Sequence, residues 1–460
     1  MTDNRASARP VAPGTRSAKS AAVAVPPGFA WGVSTSSYQI EGATREDGRG
    51  PSIWDTMVLQ KGKIANGDTG DIACDHYHRY AEDVALMREL GVQAYRFSVA
   101  WPRVLPRGRG GANEKGLDFY DRLIDALLAA KIEPWLCLYH WDLPQALDDL
   151  GGWLVRDSAG WFADYAALIA RCYGDRVKRF ATFNEPSIFT YFAYGRGDDA
   201  RGARDAPFLS RAIHHVNLAH GGAVDVLRAL VDRASLGTIH NWLPIRPVAK
   251  SDEKAAALLD EYWNLAFPEP QLHGAYSPTL ARAIEPYMQA GDLARICRPV
   301  DWFGLNQYGP SYVKANADAP MGLDMVDGPA EVRRSPIGWV IDADAFRDTL
   351  LHLHKRYRLP IYVTENGLGG PDKPNAAGEI IDDERVVYLD DHTKALAAAI
   401  SAGADVRGYF IWSLLDNFEW DKGYGTRFGI VYMDYPTQRR IPKASFRWYA
   451  QLIKDTRQGA

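Results

Sequence analysis

Residues 180–186, FATFNEP, show the strand pattern that predicts the fold of this chain. Its apolar part, Phe180 to Phe183, is typical of a strand that is buried on both faces of a parallel sheet. Asn184 and Glu185 follow at once, and Pro186 biases Glu185 away from a helix and towards an extended backbone. We therefore predict a buried strand that ends in a carboxylate.

Similar strand-like runs recur along the chain, with helical patterns between them. The predicted strands are Phe29–Val33, Ala94–Val99, Glu133–Tyr139, Phe180–Phe183, Ser235–His240, Trp302–Asn306, Ile361–Thr364 and Gly408–Trp412. The predicted helices are Tyr77–Leu90, Gly116–Ala130, Ala159–Tyr173, Ala212–Val231, Lys254–Leu265, Ala345–Arg356, Asp383–Ala402 and Ala444–Ile453. This alternation predicts an α/β protein with a single (β/α)8 TIM barrel and elongated βα loops, rather than an open doubly wound sheet.

The barrel is predicted to span residues 26–460, after a flexible N-terminal tail at residues 1–25. The tail is rich in Ala, Ser, Pro and Arg, and it lacks the apolar run of about 7–15 residues that a secretory signal contains. A transit peptide is the alternative for this segment. No stretch approaches the roughly 20 apolar residues needed to cross a bilayer. We expect a cytoplasmic protein.

The composition points to a small-molecule ligand. The 460 residues carry a net charge of −4 without long charged blocks, which indicates neither a nucleic-acid partner nor an anionic membrane. The 14 tryptophans suggest flat stacking surfaces around a ligand, with a Trp-rich core as the alternative. The four cysteines form no C-x-x-C pair, so we expect buried thiols and no disulfide framework. The pattern favours neither a monomer nor a homo-oligomer.

Polar and aromatic residues follow nearly every predicted strand. In a (β/α)8 barrel these strand ends meet at one mouth, where the chemistry of such barrels takes place. Amides, imidazole, carboxylates and indoles are the groups that bind sugar hydroxyls and stack on sugar faces. The residues concerned are Gln39, Arg96, His140, Trp141, Asn184, Glu185, Asn241, Trp242, Asn306, Tyr308, Glu365, Asn366, Trp412, Glu419 and Trp420.

Two of these residues, Glu185 and Glu365, are candidate catalytic carboxylates. Asn366 and Gly367 follow Glu365, and an Asn-Gly pair predicts a turn directly after it. Taken singly, either glutamate could serve in a salt bridge or a helix cap. Two carboxyl groups that face one sugar are what cleavage of a glycosidic bond requires. If one is ionised beside Arg96 and a tyrosine, its charge helps the other to keep its proton.

With these motifs in place, residues 27–455 resemble family 1 of the glycoside hydrolases, the retaining β-glucosidases and β-galactosidases. The resemblance rests on FAWGVSTSSYQIEG at 29–42, TFNEP at 182–186, TENG at 364–367, WSLLDNFEW at 412–420 and GTRFGI at 425–430. It implies that Glu185 is the general acid/base and that Glu365 is the nucleophile of a covalent glycosyl-enzyme intermediate. It also implies net retention, with carboxyl groups about 5–5.5 Å apart, and that Arg96 and Tyr308 orient Glu365.

The resemblance also implies the residues that hold the sugar. These are Gln39, His140, Asn184, Glu419 and Trp420, with Trp412 as the stacking floor. We place Asn306 and Phe428 in the same substrate-binding set, and Trp339 on the aglycone side. Trp412 as a core residue and His140 as an ordinary strand-end histidine are the alternatives.

Three positions bear on the substrate class. Members of the family that act on 6-phospho-glycosides carry Ser, Lys and Tyr where this chain has Glu419, Thr426 and Phe428, so we expect unphosphorylated substrates. Thioglucosidases of the family have Gln in place of the acid/base, whereas Glu185 is present here, so we expect O-glycosides. Two departures from the family pattern are Gln307, where a second tyrosine is common, and the charged loop from Gly195 to Pro207.

We expect no metal and no cofactor. The histidines of His76-x-His78, His214-His215 and His352-x-His354 lack further ligands at metal spacing, and the last two pairs are predicted on outer helix faces. No glycine-rich phosphate loop precedes a helix.

The sequence therefore predicts a retaining β-glucosidase that releases terminal β-D-glucose and tolerates β-D-galactose or β-D-fucose. A transglycosidase that uses the same intermediate is one alternative, and a hydrophobic, water-excluding aglycone channel would favour it. A catalytically silent sugar-binding barrel is the other, against which the presence of both glutamates argues.

Overall fold

The computed structural model describes residues 23–196 and 206–458. Eight parallel strands close into one barrel, in which each pairs with its neighbours along the chain and the last pairs with the first. They are β1 (Ala30–Ser34), β2 (Ala94–Ser98), β3 (Glu133–Tyr139), β4 (Arg179–Asn184), β5 (Ser235–Asn241), β6 (Trp302–Asn306), β7 (Ile361–Asn366) and β8 (Val406–Trp412). The predicted (β/α)8 TIM barrel is confirmed.

Helices surround the barrel. The longer ones are His76–Leu90, Glu114–Ala129, Ser158–Tyr173, Ala206–Leu230, Glu253–Asp260, Ala343–Tyr357, Asp383–Ser401 and Ala444–Gln458. Shorter α-helices are Ser37–Ile40, Ile53–Met57, Trp101–Val104, Gln145–Asp148, Pro186–Thr190, Pro278–Ile284 and Asp292–Ile296. The predicted helix Lys254–Leu265 is in fact two segments, because the α-helix ends at Asp260 and π-helical turns continue over Glu261–Leu265.

The elongated βα loops carry strands that the sequence analysis did not predict. Ile245–Pro247, Ser311–Ala315 and Leu323–Val326 form a three-stranded sheet from the loops after β5 and β6. Val431–Asp434 and Arg439–Pro442 form a two-stranded sheet after β8. These two small sheets add a layer beyond the carboxyl ends of the barrel strands.

The barrel interior is filled by packed side chains. Trp135 packs against Trp302, Tyr362 and Phe410 with ring centroids 4.8–5.1 Å apart. Such close-packed layers are the usual filling of a TIM barrel. Some tryptophans, including Trp302, are fully buried in the core, and others line the cavity described below; stacking on a ligand stays a prediction.

Cys74 and Cys137 are buried as predicted, but Cys172 and Cys297 are half-buried, and all four thiols are free. Within the described ranges, no helix combines the length and the apolar character that crossing a bilayer requires. Of the predicted tail, residues 1–22 lie outside the described residues, and Val23 is buried against the core.

Candidate active site

The carboxyl ends of the strands open into a cavity of about 750 Å³. We call its inner half the part lined by His140, Glu185, Tyr308, Glu365, Trp412, Glu419 and Trp420. We call its outer half the part lined by Ile188, Phe192, Leu243, Trp263, Met325 and Trp339. The structure thus brings both candidate carboxylates to one cavity.

Four other predicted site residues lie directly behind this lining. Gln39, Arg96, Asn184 and Asn306 are almost completely buried, at 0–1% exposure. Each of them hydrogen-bonds to a residue of the inner half. Phe428 is buried beside Tyr308 and Trp339, and it also lines the cavity.

Glu365 lies near the end of β7, and the predicted turn directly after it is wrong. The strand continues through Asn366, and the close approach of another strand end explains the glycine that follows. A Cβ at Gly367 would lie 1.9 Å from the carbonyl oxygen of Trp412. Gly367 is therefore required by packing between β7 and β8 rather than by a turn.

The carboxylate of Glu365 contacts one positively charged group and one hydrogen-bond donor. The Arg96 guanidinium forms an ion pair with Oε1 through Nη1, and the Tyr308 hydroxyl donates to Oε2 at 2.7 Å. Burial raises the pKa of Glu365, whereas Arg96 and Tyr308 act to lower it. These contacts stabilise the ionised form of Glu365.

Glu185 follows β4 with a left-handed backbone, φ +48°, so the predicted extended conformation is wrong. The helix Pro186–Thr190 begins at the next residue, and the chain must turn from strand to helix within Glu185. A following proline disfavours the right-handed helical region at this residue. The left-handed region provides the turn and leaves the side chain at the barrel mouth.

The carboxyl group of Glu185 accepts hydrogen bonds from neutral amide groups. Asn306 Nδ2 and Asn241 Nδ2 both donate to its Oε1, at 2.9 and 3.0 Å. Burial and then the charge of Glu365 raise the pKa of Glu185 to about 8. At neutral pH the cavity therefore holds a protonated carboxyl group opposite an ion-paired one, an arrangement that suits proton donation combined with nucleophilic attack.

Asn184 is oriented by its neighbours. Its Oδ1 accepts from Arg96 Nη2 at 2.6 Å and from Asn306 Nδ2 at 2.9 Å. Its Nδ2 donates to His140 Nε2 at 3.1 Å. Burial and then Arg96 hold the pKa of His140 well below its usual range, so this imidazole is neutral.

Aromatic rings form one wall of the inner half. Trp412 and Trp420 stack on His140 with interplanar angles of 18° and 20°. Beside them, Gln39 Nε2 donates to Glu419 Oε2 at 3.3 Å. Burial and then the charge of Glu365 raise the pKa of Glu419 to about 8. The wall thus combines flat apolar faces with an amide and an acidic group, which suits a sugar ring.

Several residues of the cavity lining have no predicted role. Asn241 follows a predicted strand, and this position is the signal that could assign it to the site. Its contact with Glu185 depends on Trp263 Nε1, which donates to Asn241 Oδ1 at 3.0 Å. Trp263 and most of the outer half lie on short helical turns and strands within the βα loops, where no sequence periodicity indicates the direction of a side chain.

One prediction about histidines is wrong. His214 and His215 are buried rather than on an outer helix face, and His214 contacts Asp292 and Tyr276 at 2.9 and 3.0 Å. The helix Ala206–Leu230 carries them beneath a layer formed by residues 253–296, against which it packs. Among the described residues, no group of three or more His, Cys, Asp or Glu side chains is placed to hold a metal ion. Most of the charged loop Gly195–Pro207 lies outside the described residues.

Comparison with known proteins agrees with this geometry. The family model described as glycosyl hydrolase family 1 matches residues 22–458. β-Glucosidase A of Thermotoga maritima is 42% identical over 94% of this chain and 98% of its own length. A bifunctional β-D-glucosidase/β-D-fucosidase of Bifidobacterium breve is 42% identical over the same shares of the two chains. The structure of a β-glucosidase from Thermotoga maritima in complex with glucoimidazole has a TM-score of 0.89, with 41% identity, 94% coverage of this chain and 99% coverage of its own. This chain belongs to glycosyl hydrolase family 1.

Proposed function

We propose that this protein is a retaining exo-β-glucosidase that hydrolyses terminal β-D-glucosyl residues of unphosphorylated O-glycosides. The observation that carries the proposal is the pairing of an ion-paired carboxylate, Glu365, with a protonated carboxyl group, Glu185, in one cavity. The relatives named above as β-glucosidases support the substrate class.

In the first step, an Oε atom of Glu365 attacks the anomeric carbon and forms a glycosyl ester, while the bond from this carbon to the leaving oxygen breaks. Glu185 donates its proton to that oxygen, and the aglycone alcohol departs. Arg96 and Tyr308 hold Glu365 ionised and orient it. This mechanism expects a separation of about 5–5.5 Å between the carboxyl groups.

In the second step, water replaces the aglycone. Glu185, now ionised, takes a proton from this water, which attacks the anomeric carbon and releases Glu365 as a carboxylate. Two displacements at one carbon give net retention. The products are β-D-glucose and the aglycone alcohol.

The inner half is proposed to hold the glucose ring. Trp412 provides the floor on which the ring stacks, and Gln39, His140, Asn184, Asn306, Glu419, Trp420 and Phe428 surround its hydroxyls. The neutral His140 and the buried amides are held in fixed orientations by hydrogen bonds to one another, so a ligand whose hydroxyls lie in other places would pair poorly with them, which makes such a site selective.

Unphosphorylated substrates are favoured by the acidic group at Glu419. A phosphate beside it would place negative charge in a cavity that already holds the ion-paired carboxylate of Glu365, and the nearby Lys422 already pairs with Asp421 at 2.7 Å. The name of the Bifidobacterium breve relative supports tolerance for β-D-fucosides, which lack a hydroxyl where a 6-phosphate would be attached.

One observation favours a second candidate function, transglycosylation. The outer half is walled largely by apolar side chains, and such a wall favours an apolar alcohol over water as the acceptor of the glucosyl group. Product analysis with added butanol distinguishes the two: hydrolysis gives glucose, and transfer gives butyl β-D-glucoside.

The proposal is tested with a panel of 4-nitrophenyl β-glycosides. We expect the β-D-glucoside to be cleaved most rapidly, the β-D-galactoside and β-D-fucoside measurably, and the 6-phospho-β-D-glucoside not at all. Absence of turnover on every member, with a folded protein, would remove the proposal and favour the silent sugar-binding barrel.

A further inference from the structure

We propose that Trp263 is a positioning residue for Glu185 and that it acts through Asn241. This inference rests on the proposed function, because it concerns how Glu185 is prepared for both steps of that reaction. The indole N–H of Trp263 directs the side-chain amide of Asn241, so that Glu185 faces the N–H end of this amide rather than its oxygen.

Two hydrogen bonds connect Trp263 to Glu185. Trp263 Nε1 donates to Asn241 Oδ1 at 3.0 Å, and Asn241 Nδ2 donates to Glu185 Oε1 at 3.0 Å. An indole N–H is a donor only, whereas an amide side chain has a donor end and an acceptor end. Trp263 therefore selects the oxygen end of the amide and leaves the nitrogen end for Glu185. Glu185 does not make this selection itself, because a protonated carboxyl group can both donate and accept.

Trp263 is held in place by its own π-helical segment. It is 4% exposed and packs edge-on against Tyr191, with ring centroids 5.2 Å apart. The next residue, Asn264, accepts from the backbone nitrogen of Leu243 at 2.9 Å and donates to the backbone oxygen of Leu243 at 2.8 Å. Leu243 lies two residues after Asn241, so these contacts fix the indole N–H beside the amide that it directs.

The other amide that contacts Glu185 is directed in the same manner. Asn306 Nδ2 donates to Glu185 Oε1 and to Asn184 Oδ1, both at 2.9 Å. Asn184 Oδ1 also accepts from Arg96 Nη2 at 2.6 Å, and a guanidinium is a donor only. Arg96 thus directs one of the two amides, and Trp263 directs the other.

Both amides donate to the same oxygen of the Glu185 carboxyl group, Oε1. The proton of the neutral acid therefore lies on Oε2, from which it is donated to the leaving oxygen. If the Asn241 amide turned over, its Oδ1 would accept a proton from Oε1. This arrangement would favour the protonated form of Glu185 and would move the proton away from Oε2.

The second step of the reaction depends most on the direction of the amide. In this step Glu185 is the base and must be ionised, and N–H donors stabilise a carboxylate. Burial and then the charge of Glu365 raise the pKa of Glu185, and the two amides lower it. Glu185 also interacts with Arg96, Glu419 and Tyr308. A change at Trp263 leaves all of these titratable groups in place, so a shift in the titration of Glu185 reports the amide.

The first test is the dependence of kcat/KM on pH in Trp263→Phe, with methyl β-D-glucoside as the substrate. Phenylalanine keeps an aromatic ring and removes the N–H. We expect the decline at alkaline pH to move upward by about half a pH unit or more, because Glu185 loses a hydrogen bond that lowers its pKa. An unchanged pH dependence in an active variant would overturn the inference and leave the proposed function intact.

The second test isolates the second step with 2,4-dinitrophenyl β-D-glucoside, whose leaving group needs no proton. We expect kcat of Trp263→Phe to fall about threefold or more, because the base is less readily ionised. Azide attacks the intermediate without a base, so it should raise kcat more in this variant than in the unmodified enzyme. A change confined to KM would mean that Trp263 only lines the cavity, and it would contradict the inference.

The matched control is Trp448→Phe. The indole nitrogen of Trp448 has no partner among the described residues, so its loss should leave the pH dependence unchanged. Incorporation of 3-benzothienylalanine at position 263 repeats the test if Trp263→Phe does not fold, because this residue has the shape of tryptophan and carries sulfur in place of the N–H. It should give the same upward shift, and the absence of a shift would overturn the inference.

A double variant tests the route through Asn241. Asn241→Leu should shift the alkaline decline upward by itself, because it removes the donor to Glu185. Adding Trp263→Phe to this variant should cause no further shift, since the two residues act as one chain. Additive shifts would show that Trp263 does not act through Asn241.

If the unmodified enzyme hydrolyses no β-glucoside, the proposed function fails and the inference is decided by titration. NMR of enzyme labelled with ¹³C at the glutamate carboxyl carbons then follows Glu185, whose signal is identified by its loss in Glu185→Gln. A higher pKa of Glu185 in Trp263→Phe supports the positioning role. An equal pKa contradicts it.

Discussion

The inner half of the cavity is built on strand ends, and the outer half is built on the loops that follow them. In the inner half, charged and amide groups contact one another: Glu365 with Arg96 and Tyr308, and Glu185 with two asparagines. The outer half combines apolar side chains, such as Leu243 and Met325, with polar ones that include Arg334. Under the proposed function, this difference separates two tasks: the barrel would position the reactive groups, and the loops would contact what is attached to the sugar.

The largest effect is expected from Glu365→Gln in the inner half. Removing the proposed nucleophile should lower kcat by about 10⁴-fold or more. It also leaves the buried Arg96 without its ion-pair partner, which should lower the free energy of unfolding by about 3–5 kcal/mol. Turnover of 4-nitrophenyl β-D-glucoside and thermal unfolding measure the two effects. A folded variant with unchanged turnover would contradict the assignment.

Glu185→Gln should have a smaller effect that depends on the leaving group. Without a proton donor, kcat/KM for methyl β-D-glucoside should fall about 10²–10⁴-fold, and less for 4-nitrophenyl β-D-glucoside, whose weakly basic oxygen leaves without protonation. Equal losses on the two substrates would show that Glu185 does not act as the acid.

The same variant should differ from Glu365→Gln in stability. The pKa of Glu185 rises from 4.5 to about 8 on folding, so the stability that this group contributes declines as the pH rises from 4.5 and is lost above about 8. Glutamine does not ionise, so Glu185→Gln should not share the thermal destabilisation of Glu365→Gln at pH 8.5. Similar losses in the two variants would show that the two carboxyl groups do not differ in environment.

The dependence of kcat/KM on pH in the unmodified enzyme tests whether Glu185 is the protonated member of the carboxyl pair. A general acid with a pKa of about 8 is protonated below that pH, so kcat/KM should decline above about pH 8, tenfold per pH unit at the limit. Glu419, with a pKa also raised to about 8, can contribute to the same limb. The Glu185→Gln variant separates the contributions of Glu185 and Glu419. If the decline of kcat/KM at alkaline pH persists unchanged in this variant, a group other than Glu185 causes the decline.

The smallest effect is expected at Gln307, which lies behind the inner half. Its side chain is 1% exposed, and neither polar atom of its amide has a partner among the described residues. Burying an unpaired amide costs about 1–3 kcal/mol. Gln307→Leu should therefore raise the midpoint of thermal unfolding and leave kcat within about twofold. A lower midpoint would show that the amide is paired.

The strand ends were predictable from the sequence because each buried strand is a short apolar run with its polar residues immediately after it. The barrel places these ends together, so Glu185, Glu365 and His140 could be assigned to one mouth without coordinates. The backbone of Glu185 was not predictable from Pro186 alone, since the helix that begins at this proline imposes the turn.

The outer half could not be predicted in the same way. Met325 lies on a strand, Leu323–Val326, that pairs with another loop strand and not with a strand of the barrel. Trp263 lies in a π-helical segment that the sequence presents as the end of an ordinary helix. The directions of these side chains depend on how loops pack against one another, and no local pattern encodes this.

The central claim is that Glu365 attacks the sugar directly while Glu185 protonates the leaving oxygen. Proton NMR of the glucose first formed from a β-D-glucoside tests it most directly, before mutarotation mixes the anomers. The mechanism predicts β-D-glucose as the initial product, through two displacements at the anomeric carbon. Initial formation of α-D-glucose would mean a single displacement by water and would contradict the account.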